Sequence, residues 1–236
     1  MSENYLRPYV ICHMVQSADG KVTGDFLSSE ECQAACEIYY KLNREYSADA
    51  FACGSTTMAE SFTGGFYPQL EEYSEEGIEL EDYIAEGSFT YFAVAFDRRG
   101  RLGWQTPVIQ DEDPGYGNAH IIEVLSKKVD RRYLAYLRGI GVSYIFAGED
   151  GSDIPLALSK LYQYFGICNL LLEGGSEING AFAEAGVIDE LSLVVTPLKS
   201  EEGDKPLFAR PLKQDPKFMN ATPYDGGIIL MRYSVG

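Results

Sequence analysis

Short apolar runs alternate with amphipathic stretches from one end of this chain to the other. Residues 9–15 (YVICHMV) are apolar apart from His13 and lead into Gln16-Ser17-Ala18-Asp19-Gly20. That is the pattern of a buried strand ending in a polar turn. Ser28-Ser29-Glu30-Glu31 follows, where a serine cap and first-turn acids suit the positive end of a helix. The spacing carries that helix to about Glu45, with Cys32, Cys36, Ile38, Tyr39 and Leu42 on one face. Residues 50–53 predict a second buried strand, ending at Gly54-Ser55-Thr56-Thr57.

Further strands are predicted at 89–96, 121–125, 144–147, 169–172 and 190–196, and helices at 131–139, 155–165 and 176–185. Residues 224–233 predict a closing strand pair, and His120 falls in a predicted loop. The stretch from about 70 to 87 is crowded with acids and reads as a solvated, partly helical insertion. Short apolar strands alternating with helices call for a largely parallel sheet covered on both faces. The expectation is an α/β protein with three α/β/α layers. Its central sheet is mixed but mostly parallel, with antiparallel edge strands at the C-terminal end. With no linker, repeat or low-complexity segment, residues 1–236 are read as a single domain.

Charge narrows the class of partner. Nineteen Lys and Arg stand against 36 Asp and Glu, for a formal net charge of −17. Nucleic acid and anionic membrane are both polyanions, so neither is an expected partner. No apolar run approaches the roughly 18 residues of a membrane span. Met1-Ser2-Glu3-Asn4-Tyr5 has no basic stretch followed by an apolar one, so no secretory leader is expected. The five cysteines, at 12, 32, 36, 53 and 168, show no disulfide framework. With two histidines in the chain and none beside Cys32 and Cys36, no metal site is expected. A reducing, cytoplasmic compartment follows.

In open α/β sheets, ligands bind at the carboxyl ends of strands. Four such ends carry unusual loops: 17–20, 54–57, 148–151 and 173–176. The last is the most informative, because Leu170-Leu171-Leu172 runs into Glu173, then Gly174-Gly175, then a helix opened by Ser176. Glycines let the main chain approach a ligand closely. The N–H groups of Gly175, Ser176, Glu177 and Ile178 would be unsatisfied there, which suits a pyrophosphate. The spacing is not G-x-G-x-x-G, so a standard dinucleotide unit is not indicated. Asp97-Arg98-Arg99-Gly100-Arg101 gathers three guanidiniums in an acidic chain. Arg98 or Arg99 is a candidate for the 2′-phosphate that distinguishes NADPH from NADH. Asp19 and Glu173 are carboxylates at strand ends beside glycine, placed to orient a substrate or move a proton. His13, inside an apolar run, reads as a core histidine, and Asp150 as a weaker candidate.

Several of these segments resemble one family. The stretch from His13 through Ser17-Ala18-Asp19-Gly20-Lys21-Val22 is similar to the first strand and loop of the riboflavin-biosynthesis reductase domain. Gly54-Ser55-Thr56-Thr57 resembles its second signature. Leu172 through Asn179, with Val187-Ile188-Asp189-Glu190-Leu191 and Thr196-Pro197, resembles its third. The resemblance implies a dihydrofolate-reductase-like fold, a homodimer, and NADPH with its pyrophosphate at Gly174-Gly175. It implies that Thr57 and the stretch from Gly175 through Ala181, including Ser176, Glu177, Ile178 and Asn179, bind cofactor, and Gly54 and Thr56, beside Thr57, are cofactor candidates with them. It implies that Glu173 contacts substrate, and Ser17 and Asp19 are further substrate-side candidates. The implied reaction is hydride transfer to 5-amino-6-(5-phosphoribosylamino)uracil or a related pyrimidine or pterin. After Thr57 the chain departs from the family, reading Met58-Ala59-Glu60-Ser61-Phe62-Thr63-Gly64-Gly65 where paired aspartates, a proline and an arginine usually stand. It has no H-x-E with a later P-C-x-x-C, so a reductase without the zinc deaminase partner is expected. A nucleotide-binding regulatory or scaffold protein that kept the pocket is the alternative.

Overall fold

The computed structural model describes residues 6–236, so the segment bearing on a leader lies outside the described residues. The chain forms two compact units. One comprises Asp49–Cys168 with residues 6–8, and the other Tyr9–Ala48 with Asn169–Gly236. No helix among the described residues is long and apolar enough to cross a membrane.

In the first unit, β2 (Ala50–Gly54), β3 (Phe92–Phe96), β4 (His120–Leu125) and β5 (Ser143–Phe146) are parallel, in the order β5-β4-β3-β2. β3 is buried along its whole length, as its apolar sequence FAVAF requires. Helix α2 (Ser55–Met58) follows β2 and runs on into one π turn; α3 (Arg131–Ile140) and α4 (Ile154–Phe165) pack on β5. Both longer helices start on an aspartate and stop at a left-handed glycine, Gly141 or Gly166.

Two expectations in this unit are corrected. His120 lies in β4, not in a loop; it is fully buried, stacks on Phe89 at 3.7 Å and meets Ser143 Oγ through Nε2 at 2.8 Å. The acidic insertion is partly helical, with one 3-10 turn at Leu70–Glu72, but it is not wholly solvated. Asp82 accepts from Phe146 N–H at 2.8 Å and pairs with Lys160 at 2.7 Å, and Tyr83 forms an antiparallel bridge with Tyr144. Glu123, the acid inside the apolar run of β4, is fully buried with Trp104 and Tyr133 donating to it. Burial pushes its carboxyl well above the usual range, with Asp97 adding to the shift.

In the second unit, β1 (Tyr9–Gln16) lies between β6 (Asn169–Leu172) and β7 (Glu190–Val195), parallel to both. β9 (Ile229–Ser234) and β8 (Lys217–Pro223) continue the order antiparallel. The mixed α/β architecture with an antiparallel C-terminal edge is thus present. Its last strand pair differs from the prediction, because β8 ends at Pro223, just before the predicted pair would begin. KFMNATP is exposed along its length, so it carries no buried alternation to read.

Helix α1 (Gln33–Tyr46) begins after two short 3-10 turns, and the serine cap is Ser29, whose Oγ accepts from Cys32 N–H to open the second of those turns. Its apolar face packs with Val15, Phe26, Val194 and Leu230. Burial of each such side chain contributes about 1.5–3 kcal/mol. Helix α5 (Ser176–Ala185) has the predicted bounds and stops at left-handed Gly186.

Candidate functional site

The second unit gathers the diglycine bend, Glu173 and the loop after β1. β6 ends with Leu172 paired to Cys12, so the next residues run beside the last turns of β1. Alternation along β1 turns His13 toward α1 and Met14 to the other face. His13 is fully buried, stacked on Tyr39 at 4.3 Å. Its Nε2 lies 3.1 Å from Tyr39 O, and its Nδ1 lies 3.0 Å from Ser192 Oγ and 3.3 Å from Ser192 O, so both ring nitrogens have partners. Burial lowers its pKa to about 4, which makes it a neutral core histidine.

Glu173 is buried, and its Oε1 accepts from Asn43 Nδ2 on α1 at 2.7 Å. Asn43 is itself buried in a helix that otherwise buries apolar groups. Asn43 did not stand out in the sequence, because its partner lies 130 residues away. An asparagine on the predicted apolar side of α1 was the available signal.

Gly174 has φ +87, a left-handed value that favours glycine, and the Gly174-Gly175 peptide is cis. A β-carbon on Gly174 would lie 3.0 Å from both Met14 Sδ and Cε, so the end of the Met14 side chain would have to give way by a few tenths of an ångström. Gly175 then occupies the cap position of α5 with no side-chain cap. Ser176 is buried and its Oγ has no hydrogen-bond partner among the described residues; the same holds for Oδ1 of buried Asn179. Asn179 Nδ2 donates to Leu207 O at 3.2 Å, which fixes the orientation of that amide. Glu177 is exposed and Ile178 half-buried.

Ser17 is buried, its Oγ accepting from Lys21 N–H at 2.9 Å to close the turn after β1. Asp19 is exposed, and its two oxygens accept from Ser200 N–H at 3.1 Å and Ser200 Oγ at 2.6 Å. The Ser200 hydroxyl, with its N–H and Ser17 adding to it, holds the Asp19 carboxyl well below the usual range. The geometry gives Asp19 an acceptor's role.

The remaining predicted residues lie in the first unit. Gly54 ends β2 in extended backbone and opens α2, which has four residues; Thr56 is exposed and Thr57 half-buried. Arg98 and Arg99 are exposed at the tip of a turn closed by Gly100 N–H to Asp97 O at 3.0 Å. The turn is buttressed by Ser126 Oγ donating to Arg98 O at 2.7 Å. Asp150 folds back on Ser152 Oγ at 2.6 Å, an ordinary turn.

Comparison with known proteins bears on the family and the fold. The chain is 26% identical over 195 residues to the 2,5-diamino-6-ribosylamino-4(3H)-pyrimidinone 5′-phosphate reductase of Methanothermobacter thermautotrophicus, covering 82% of this chain and 79% of that one. Its fold is similar to that of RibD from Acinetobacter baumannii, with a TM-score of 0.66 at 18% identity; the match covers 98% of this chain and 58% of that one. It is similar also to a pyrimidine reductase-like protein from Corynebacterium diphtheriae, with a TM-score of 0.65 at 16% identity, covering 97% and 92%. The model of the RibD C-terminal domain matches residues 8–230, nearly the whole chain, and the chain belongs to that family.

Proposed function

We propose that this chain is an NADPH-dependent reductase of the riboflavin-biosynthesis type. Its substrate is 5-amino-6-(5-phosphoribosylamino)uracil or a related pyrimidine or pterin. Family membership and the curated relatives, reductases named for a phosphorylated ribosylaminopyrimidinone, support the reaction class. The observation that carries the cofactor reading is the start of α5: a helix with no side-chain cap, entered through a diglycine bend, beside a buried Ser176 hydroxyl that lacks a partner. Uncapped N–H groups at the positive end of a helix suit a phosphate, and main-chain donors can hold one even in a protein of net charge −17.

On this reading, residues 174–179 hold the pyrophosphate. The cofactor supplies the hydride when bound; the protein supplies position and electrostatics. Glu173 orients the substrate by accepting its hydrogen bonds, and Asn43 holds that carboxylate in place. Ser17 and Asp19 shape the loop on the substrate side. In the first unit, Gly54, Thr56 and Thr57 are assigned to cofactor, and Arg98 or Arg99 to its 2′-phosphate. A homodimer and a cytoplasmic location belong to the same proposal.

Titration with NADPH and NADH, followed by nicotinamide fluorescence, tests it: NADPH binds more tightly, and failure of both at high micromolar concentration overturns it. Glu173→Gln keeps NADPH affinity and lowers turnover by about 10- to 100-fold, as loss of a hydrogen bond to a charged group implies; unchanged turnover moves Glu173 away from the substrate. A nucleotide-binding protein without turnover is the second reading, favoured by the absence of arginine from Met58 to Gly65. Oxidation of NADPH with any pyrimidine or pterin removes it.

A further inference from the structure

Residues 198–210, which follow β7, are laced to two other parts of the second unit. At one end they grip the loop after β1. Ala18 N–H donates to Leu198 O at 2.8 Å, Val22 N–H to Lys205 O at 2.9 Å, and Lys205 N–H to Thr23 Oγ1 at 2.8 Å. Ser200 supplies both hydrogen bonds to Asp19. Asp204 lies so close to Gly24 that a β-carbon there would fall 2.2 Å from its Oδ2. At the other end they cross the first turns of α5. Leu207 O accepts from Asn179 Nδ2, Ala209 N–H donates to Ser176 O at 3.1 Å, and a β-carbon on Gly180 would lie 2.7 Å from Arg210 N.

We propose that this strap is a positioning element and that Ser200 is its lock. Clasping Asp19, Ser200 holds the 17–24 loop. Through the same stretch of chain, that loop is tied to the turn of α5 bearing Ser176 and Asn179. The inference rests on the reductase reading of this unit. A loop left free loses about 1–2 kcal/mol per residue when it must be ordered at each turnover. Reactive geometry is sensitive to displacements of about 1 Å. Two bonds to a carboxylate from one residue are a compact way of ordering the loop in advance, since hydrogen bonds to a charged group are the strong ones. Asp19 thereby acts through position rather than as a proton donor, and Ser200 is a positioning residue, not a catalytic one.

The test uses the full chain with Ser200→Ala and Ser200→Thr. Ser200→Ala is expected to lower kcat/KM for the pyrimidine about tenfold, chiefly through KM, as loss of one charge-assisted hydrogen bond implies. NADPH affinity and the thermal midpoint change little, the pH profile of kcat keeps its shape, and Ser200→Thr restores KM. Without any ligand, the amides of Ala18 and Val22 exchange with solvent about tenfold faster in Ser200→Ala, by the same loss. Unchanged KM in a working enzyme overturns the proposal, as does failure of Ser200→Thr to restore it. If the wild-type chain turns over no pyrimidine, the reductase reading fails, and the exchange measurement decides the strap alone: faster exchange supports the clasp and unchanged exchange overturns it.

Discussion

Helices α4 and α5 are similar in length and both end on a left-handed glycine, yet they begin in opposite ways. Asp153 caps α4, accepting from Leu156 N–H at 3.0 Å, and Pro155 in the first turn has no N–H to satisfy. Asp130 does the same for α3, accepting from Arg132 N–H at 2.9 Å. At α5 a glycine stands in the cap position, and the serine beside it buries its hydroxyl without a partner. A side-chain cap is worth about 1 kcal/mol, and an unpaired buried hydroxyl costs about 1–3 kcal/mol. The start of α5 therefore forgoes stability that the same chain secures at two other helices. Arg210, the cation that pairs with Glu177 and Glu184 of α5, makes only exposed contacts of 3.4 and 3.5 Å, which add little. On the proposed reading, the open start of α5 leaves polar groups for a ligand, and that is what the contrast with α4 puts to the test.

The sharpest way to break the contrast is to give α5 the start that α4 has. Gly175→Asp places a carboxylate at a cap position whose extended backbone accepts it. It should lower NADPH affinity about 100-fold by repelling the pyrophosphate, as removal of charge-assisted bonds implies. Thermal stability should hold or rise by a few tenths of a kcal/mol. Fluorescence titration beside a melting curve reads both, and retained affinity would remove the anion site. Ser176→Ala is a gentler change: affinity falls about 5- to 10-fold with the loss of one donor, while the midpoint stays level or rises because no hydroxyl is left unpaired. A midpoint that drops instead would mean that Ser176 is structural. The smallest effect is expected at α4, where Asp153→Ala should cost about 1 kcal/mol of stability, measured by urea unfolding, with no change in nucleotide binding.

Much of the fold was legible because it is written in local signals. α5 is bracketed by Gly175 and Gly186, and its bounds follow from glycine and serine chemistry alone. β6 and β7 are apolar runs cut off by turns. β8 was not legible, since a strand exposed on every residue leaves no alternation. Nor was the docking of the acidic insertion, because Asp82 reads as one acid among many until Lys160 is found beside it. At the site, the diglycine bend could be read from spacing and Glu173 from its place before it. Asp19 drew attention for the same reason as Glu173, yet their surroundings differ: one is buried against Asn43, the other exposed and clasped by Ser200.

The sequence by itself determined most of the helices and buried strands and which loops fall at carboxyl ends, but not the exposed β8 or the place of His120 in β4. The former are properties of neighbouring residues: periodicity, caps and glycine conformations. Tertiary structure alone decided which polar groups are spent on one another and which stay open. Asn43 reaches Glu173 across 130 positions and Ser200 reaches Asp19 across 181. No local rule ranks one distant donor above another. Only when the chain is packed does the cost of a buried unpaired group select the pairs, and leave Ser176 without one.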